Sequence, residues 1–311
     1  MLYRFAARYR DPLSQTVAEW VRTSMNLPWR EPLWTFAWHD FTAAAGSIED
    51  LPRFHHFENA GVVFSRTSWQ RDAIAFAFRC GPPEGHHVGA LLPRIPEWRL
   101  STGHAHPDAG SFIVIANGRY LTGDTGYTGV KMTADHNSLL IDGRGQENDG
   151  RHEVFRGLPY DRLTTIRIIS ATARDGVVEI VADGTAAYPA DLGLQSWIRT
   201  FRFDGHQSFV IRDQVAISQS RKTSVILHAD RDIVRRVDGT YEIAAENTVL
   251  RVGVNQPLAA SVEPHVVVTQ GRPGSVEQGE REQRGSRLTL TTTPQTKSRI
   301  EMTLIIDRSS S

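Results

Sequence analysis

The chain has 311 residues, with 35 basic residues against 35 acidic ones, a single cysteine and 40% hydrophobic residues. Zero net charge provides no global field to attract nucleic acid or an anionic membrane surface, and one cysteine, Cys80, excludes an internal disulfide framework or a cysteine-rich zinc module. No run of about 18 apolar residues exists to form a membrane-spanning helix, while the length suffices to bury a substantial core in one large β domain or two smaller domains.

The opening MLYRFAARYRDPLSQ has neither a long apolar run nor a signal-cleavage pattern. Two expectations follow, a cytoplasmic protein or a chain that begins inside a longer one. Asp11 and Pro12 predict a helix start, after which Leu13, Val17, Trp20 and Val21 fall on one face at helical spacing. A second short helix is expected from Pro32, carrying Leu33, Phe36 and Ala37. Two helices of this size have no core of their own, so residues 1–45 read as a helical segment that packs against the β domain over 46–311 or forms the tail of a helical domain missing from this sequence. Trp20, Trp29, Trp34 and Trp38 are expected to pack rather than bind.

From Gly46 onward the period changes to two. Gly61 to Thr67 and Ala73 to Cys80 read as a strand pair, with Ile74, Phe76 and Phe78 sharing a face and Cys80 buried and inert. Gly81 to Trp98 is broken by four prolines and reads as irregular; it carries His86 and His87. Further strands are expected near Leu163 to Ala171, Val177 to Ala182, Ser196 to Phe203, Ser208 to Ile217 and Thr223 to Ala229. Others follow near Tyr241 to Ala245, Val249 to Val254, His265 to Thr269, Arg287 to Thr293 and Arg299 to Ile306. Asp175-Gly176, Asp204-Gly205 and Asp238-Gly239 lie between such runs and predict tight antiparallel hairpins. Many short strands with hairpin turns argue for a sandwich of antiparallel sheets. Gly271 to Gly285, polar and charged, reads as a solvated loop. No Walker loop, GxSxG elbow or dinucleotide fingerprint is present.

Chemistry concentrates between Gly103 and Gln146. His104 and His106 stand two apart; on a strand they would project to one face about 6–7 Å apart. Asp124 and His136, expected on the next strands of a meander, complete a three-ligand shell. Imidazole plus carboxylate suits zinc, and three protein ligands leave a fourth position for water or substrate.

The successive segments GHAHPDAGSF, ANGRYLTGDTGYT and ADHNSLLIDGRGQ resemble the C-terminal β domain of the heparinase II/III-like polysaccharide lyases. So do FHHFENAGVVFSRTSW before them and SWIRTFRFDGHQSFVIRDQV after them; the likeness covers roughly residues 50 to 230 well and the tail loosely. This resemblance implies a mainly β fold, an antiparallel supersandwich-like β-sandwich, preceded by the last helices of an α/α toroid. It implies β-elimination on a uronic-acid-containing polysaccharide in a bacterial, periplasmic or secreted setting. An acidic polysaccharide or oligosaccharide is then the partner, with a companion toroid segment or a homo-oligomer completing the assembly.

The resemblance also distributes roles. A structural Zn2+ falls to His106, Asp124 and His136, and His104 becomes the catalytic residue facing the cleft. Pro107 and Asp108 follow the histidine pair where relatives often carry a small or acidic residue, so Asp108 is a rival carboxylate; Asp124 is preferred for its DTGY setting. Tyr127, Asn137, Gln146 and Trp98 are the candidates for substrate contact, with packing or turn-satisfying roles as their alternatives, and Trp69 stands with Trp98. The family's tyrosine acid and a further histidine or asparagine belong to the toroid. Two other classes remain open: a cupin-like metalloenzyme, which also begins on HxH, and a non-catalytic carbohydrate-binding or scaffold domain.

Overall fold

The computed structural model describes residues 1–24, 37–40, 42, 45–95, 97, 100, 102–124, 129–270 and 280–308, with backbone alone for 102, 266–270 and 280–283. Two compact units emerge, Met1–Arg53 with Ser68–Ala73, and Phe54–Thr67 with Ile74–Ser311.

In the first unit, α1 (Leu2–Tyr9) is a helix the sequence reading did not anticipate, and α2 (Pro12–Ser24) starts where expected. The Asp11 carboxylate accepts from the Leu13 and Ser14 amides, each at 3.1 Å, satisfying donors that a helix N-terminus leaves unpaired. The expected apolar face is not the one that is buried. Leu13 is exposed, and Gln15, Thr16 and Ala18 are buried instead. Polar anchors set that rotation: Thr16 Oγ1 accepts from the Gly46 amide at 2.7 Å, and Tyr3 donates to Glu19 at 2.9 Å. Trp20 and Trp69 meet edge to face at 5.5 Å, and Trp69 Nε1 donates to the Leu51 carbonyl, so both serve packing. Trp29, Trp34 and the helix expected from Pro32, apart from Ala37, lie outside the described residues.

All the described strands belong to the second unit, and every pairing is antiparallel. A five-stranded sheet follows chain order: β1 (Phe54–Phe57), β2 (Val62–Arg66), β3 (Ile74–Arg79), β4 (Ser111–Ala116) and β5 (Arg119–Tyr120). A four-stranded sheet is ordered β15 (Ala259–Gln270), β16 (Glu280–Thr291), β11 (Thr223–Ala229) and β6 (Leu139–Ile141). The eight-stranded sheet runs β12 (Ile233–Arg235), β13 (Tyr241–Ala245), β14 (Thr248–Val254) and β17 (Gln295–Arg308), then β10 (Ser208–Arg221), β9 (Leu194–Phe203), β8 (Val177–Asp183) and β7 (Arg167–Arg174). The three Asp-Gly dipeptides turn β7 into β8, β9 into β10 and β12 into β13, with Gly176, Gly205 and Gly239 all at positive φ. The molecule is thus mainly β, a sandwich of antiparallel sheets with short N-terminal helices.

Two expectations need correction. Residues Tyr160–Leu163 form a helical turn after Pro159, and the strand expected from Leu163 starts at Arg167. Residues 280–285, expected in a solvated loop, extend β16 and pair with residues 265–270 of β15. A two-stranded ribbon satisfies its backbone by pairing whatever its side chains, so it leaves no apolar alternation to read. Residues 271–279 lie outside the described residues.

Period-two burial on facing sheets builds the core. Phe76, Phe78 and Phe112 of the five-stranded sheet surround Phe201 of β9 at ring distances of 5.0, 5.7 and 5.2 Å. Cys80 is buried at the edge of this cluster, where burial pushes its thiol up to about 12, as an inert cysteine requires.

Into the same face β9 and β10 insert a charged pair. Arg199 and Asp213 are cross-strand partners, each 1% exposed, joined by Nε to Oδ1 and Nη2 to Oδ2 bonds of 2.8 Å. Trp197 Nε1 adds a third donor to the carboxylate, bonding Asp213 Oδ1 at 2.7 Å. Removing one partner of a buried ion pair strands the other charge, at a cost of about 3–5 kcal/mol. Arg199→Met is therefore expected to lower the urea-unfolding free energy by roughly that amount, and a loss under about 1 kcal/mol would contradict the assigned role.

Candidate functional site

The histidine pair does not lie on a strand. Thr102–His104 form a 3-10 turn, the chain then runs irregularly through His106 to buried Pro107, and β4 begins at Ser111. His104 is exposed and His106 half-buried. Asp124 lies in the loop after β5, and His136 ends a second 3-10 turn, Thr133–Asp135, before β6. The ligand candidates thus come from three loops rather than from adjacent meander strands.

These loops still bring the predicted residues together. His136 is 2% exposed, and its Nδ1 lies 2.7 Å from Asp124 Oδ2. His106 sits edge-on to His136 at a ring distance of 5.4 Å. The buried Nε2 of His136 has no hydrogen-bond partner among the described residues. Asp108, the rival carboxylate, is engaged elsewhere: both its oxygens accept from Arg79 Nη1, at 3.1 and 3.0 Å, fixing the loop to the end of β3. Among the described residues no group of three His, Cys, Asp or Glu side chains stands ready-made to hold a metal ion.

Electrostatics separates the two imidazoles. Burial disfavours a charged His136, but the hydrogen bond and charge of Asp124, helped by Asp108 and Asp135, prevail and raise its pKa. His106 moves the other way, lowered by burial first and then by its neighbour His136.

Asn137 and Gln146 were open between ligand contact and backbone satisfaction, and the structure places both fully buried on backbone. Asn137 Nδ2 donates to the Phe112 and Gly123 carbonyls at 2.7 and 3.1 Å, and its Oδ1 accepts from the His228 amide at 2.7 Å. Gln146 exchanges bonds with both backbone groups of Ala109, at 3.2 and 3.1 Å, and donates to Ser138 Oγ. Between them they fasten the His136 loop to β4, to β11 and to the residues preceding β4. Arg199 Nη1 completes the attachment by donating to the Gly110 and Asn137 carbonyls, both at 2.7 Å. Gly110 must be glycine: its φ is +77° and an added Cβ would stand 2.5 Å from the Trp197 ring. Tyr127 and Trp98 lie outside the described residues.

Several neighbours escaped the sequence reading. His228 stacks obliquely on His265 at 4.5 Å and donates from Nε2 to the Ala134 carbonyl at 2.7 Å. His265 Nε2 lies 3.4 Å from Asp135 Oδ1. Lys131 is completely buried and binds the Gly103 and His152 carbonyls. Its rarity, as one of three lysines in the chain, was the available signal; the histidines, spread over more than 90 residues, offered none.

A family model described as heparinase II/III-like, C-terminal, matches residues 49–303. The chain belongs to that family. Among solved structures, the heparinase II/III-like chain is similar to the heparan sulfate lyase HepC of Pedobacter heparinus, with a TM-score of 0.63 at 15% identity over 97% of this chain and 43% of that one. A heparinase III gene product gives 0.60 at 16% identity over 94% and 41%. The Streptomyces coelicolor chondroitin AC lyase gives 0.52 at 11% identity over 98% and 38%. At these identities the likeness shows the fold, and the chain spans about two-fifths of the length of each of these proteins.

The buried histidine beside this site carries a pH dependence. Burial, then the charge of His265, depresses His228 from 6.5 to about 3. The unfolded chain binds a proton here below about pH 6.5, whereas the folded chain refuses it down to about pH 3. His228 therefore leaves stability unchanged above that window and erodes it as the pH falls, by at most about 1.4 kcal/mol per pH unit. Urea unfolding between about pH 7 and about pH 4 is expected to give a steeper loss for wild type than for His228→Gln; parallel slopes would contradict the assignment.

Proposed function

We propose that this chain forms the β-sandwich part of a polysaccharide lyase that cleaves a uronic-acid-containing polysaccharide by β-elimination. In this reading His104 faces the substrate, and a structural zinc is held by His106, Asp124 and His136. The observation that carries it is the juxtaposition, on a heparinase II/III-like scaffold, of the exposed His104, the half-buried His106 two residues further along, and the His136–Asp124 couple whose buried ring His106 meets.

The donor set suits zinc in kind, two imidazoles and one carboxylate; because Asp124 Oδ2 stands at His136 Nδ1, an ion shared by the two would replace that hydrogen bond and leave Nε2 outside the shell. Bound there, the ion would tie the three loops together, a folding role rather than a Lewis-acid one. Chemistry then belongs to the exposed side. Once the uronate carboxylate is neutralised, the proton on C5 becomes acidic enough for a positioned imidazole to accept. The C5–H electron pair forms the C4–C5 double bond as the C4–O bond breaks, and an acid protonates the departing oxygen. His104 is the acceptor in this scheme; the acid and the carboxylate-neutralising groups are assigned to the helical part of the family architecture.

Two measurements test the reading. His104→Ala in the full-length protein is expected to lower the rate of unsaturated-uronate formation, followed by its ultraviolet absorbance, by about 100-fold or more; full retention would remove His104 from the reaction. Binding of uronate oligosaccharides without any such product would favour a carbohydrate-binding domain instead. For the metal, chelation and His106→Ala are each expected to lower Tm by several degrees and not to add to one another, whereas elemental analysis finding no metal would defeat the zinc assignment.

A further inference from the structure

We infer that His152 is a second substrate-facing residue beside His104, its Nε2 lone pair accepting a hydrogen bond from a sugar hydroxyl. The inference rests on the proposal that this face binds an acidic polysaccharide.

Lys131 establishes the juxtaposition. Its backbone bridges to Arg151, and its buried ammonium donates to the carbonyls of both Gly103 and His152. One side chain thereby clamps the turn that carries His104 to the turn that carries His152. Burial lowers the pKa of this lysine, with Glu153 opposing the shift, so the clamp joins two carbonyls through a group held out of water.

The ring of His152 is oriented as well as placed. Its Nδ1 lies 3.2 Å from the Gly129 carbonyl, and a carbonyl only accepts, so Nδ1 carries the hydrogen. In the neutral ring Nε2 is therefore the lone-pair nitrogen. His152 is exposed, and no hydrogen bond to its Nε2 occurs among the described residues. That nitrogen borders Gly103: a Cβ added there would lie 3.3 Å from Nε2 and 3.7 Å from Cδ2. The missing side chain immediately before His104 thus keeps the acceptor edge of His152 open, on the side where His104 stands. A neutral nitrogen acceptor takes hydrogen-bond donors, and hydroxyls are the donors a polysaccharide supplies most densely.

Gly103→Ala separates this role from a structural one, because it crowds Nε2 while leaving the Nδ1 bond to Gly129 in place. The experiment titrates heparan sulfate, chondroitin and alginate hexasaccharides into 15N-histidine-labelled wild type, Gly103→Ala and His152→Ala, with calorimetry for affinity and Tm as a folding control. At least one hexasaccharide is expected to shift the His152 Nε2 resonance, and both variants are expected to bind it roughly tenfold more weakly, the scale of one net hydrogen bond. Binding at wild-type affinity in both variants overturns the inference and leaves the carbohydrate reading standing. Weaker binding without movement of the Nε2 resonance gives His152 a structural role and also overturns it. Failure of every hexasaccharide to bind wild type defeats the underlying reading, and the inference with it.

Discussion

The site depends on a charged pair that the core of a β-sandwich would ordinarily exclude. Arg199 and Asp213 face each other across β9 and β10 on the buried face, among Trp197, Phe201 and Ile211. Desolvating two such charges is unfavourable unless their remaining hydrogen-bonding capacity is met. Here it is met from several directions: Asp213 accepts from Arg199 and Trp197, and the guanidinium also reaches the Gly110 and Asn137 carbonyls. Those two carbonyls belong to the loops that carry the candidate residues. An apolar substitute for the pair would pack, but it would leave both carbonyls buried without donors.

Asn137 transmits that constraint outward. It follows His136 directly, and its amide, side chain and carbonyl contact β4, the Gly123 loop, β11 and Arg199 in turn. Gly123 sits where a Cβ would stand 2.3 Å from Asp230 Oδ1, so the loop bearing Asp124 approaches β11 as closely as backbone allows. His136 and Asp124 therefore meet at 2.7 Å with Asn137 and Gly123, their immediate neighbours, already fastened to the strands, rather than through their mutual attraction alone.

Much of this architecture was legible in the sequence, and what was not has identifiable causes. Strands with one buried face declare themselves by alternation, as β8 and β13 do, and the Asp-Gly turns fixed their hairpins. The pattern WxRxFxF of β9 likewise put Arg199 on the core face, but a charged residue among aromatics reads as an interruption until its partner at 213 is seen. Asn137 and Gln146 are polar residues in a conspicuous motif, which suggests ligand contact; only the backbone groups around them reveal a scaffold, and backbone has no sequence signature. Lys131, His152 and His228 escaped for a related reason, since their partners are carbonyls at Gly103, Gly129 and Ala134. The helix face of α2 was misread because hydrogen bonds to Gln15 and Thr16, rather than apolar spacing, chose its orientation.

The departure of the histidine pair from strand geometry bears directly on its chemistry. On a strand, residues two apart share a face and hence an environment. A 3-10 turn ending at His104, followed by irregular backbone to a buried Pro107, removes that equivalence: His104 is exposed while His106 turns toward the buried ring of His136. Burial thus acts on His106, whose pKa it lowers, while His104 stands at the surface. Gly103 contributes on the other flank, where the absence of a side chain leaves the edge of His152 open. Around His104 the chain thus sets a buried pole at His136 and an exposed acceptor at His152.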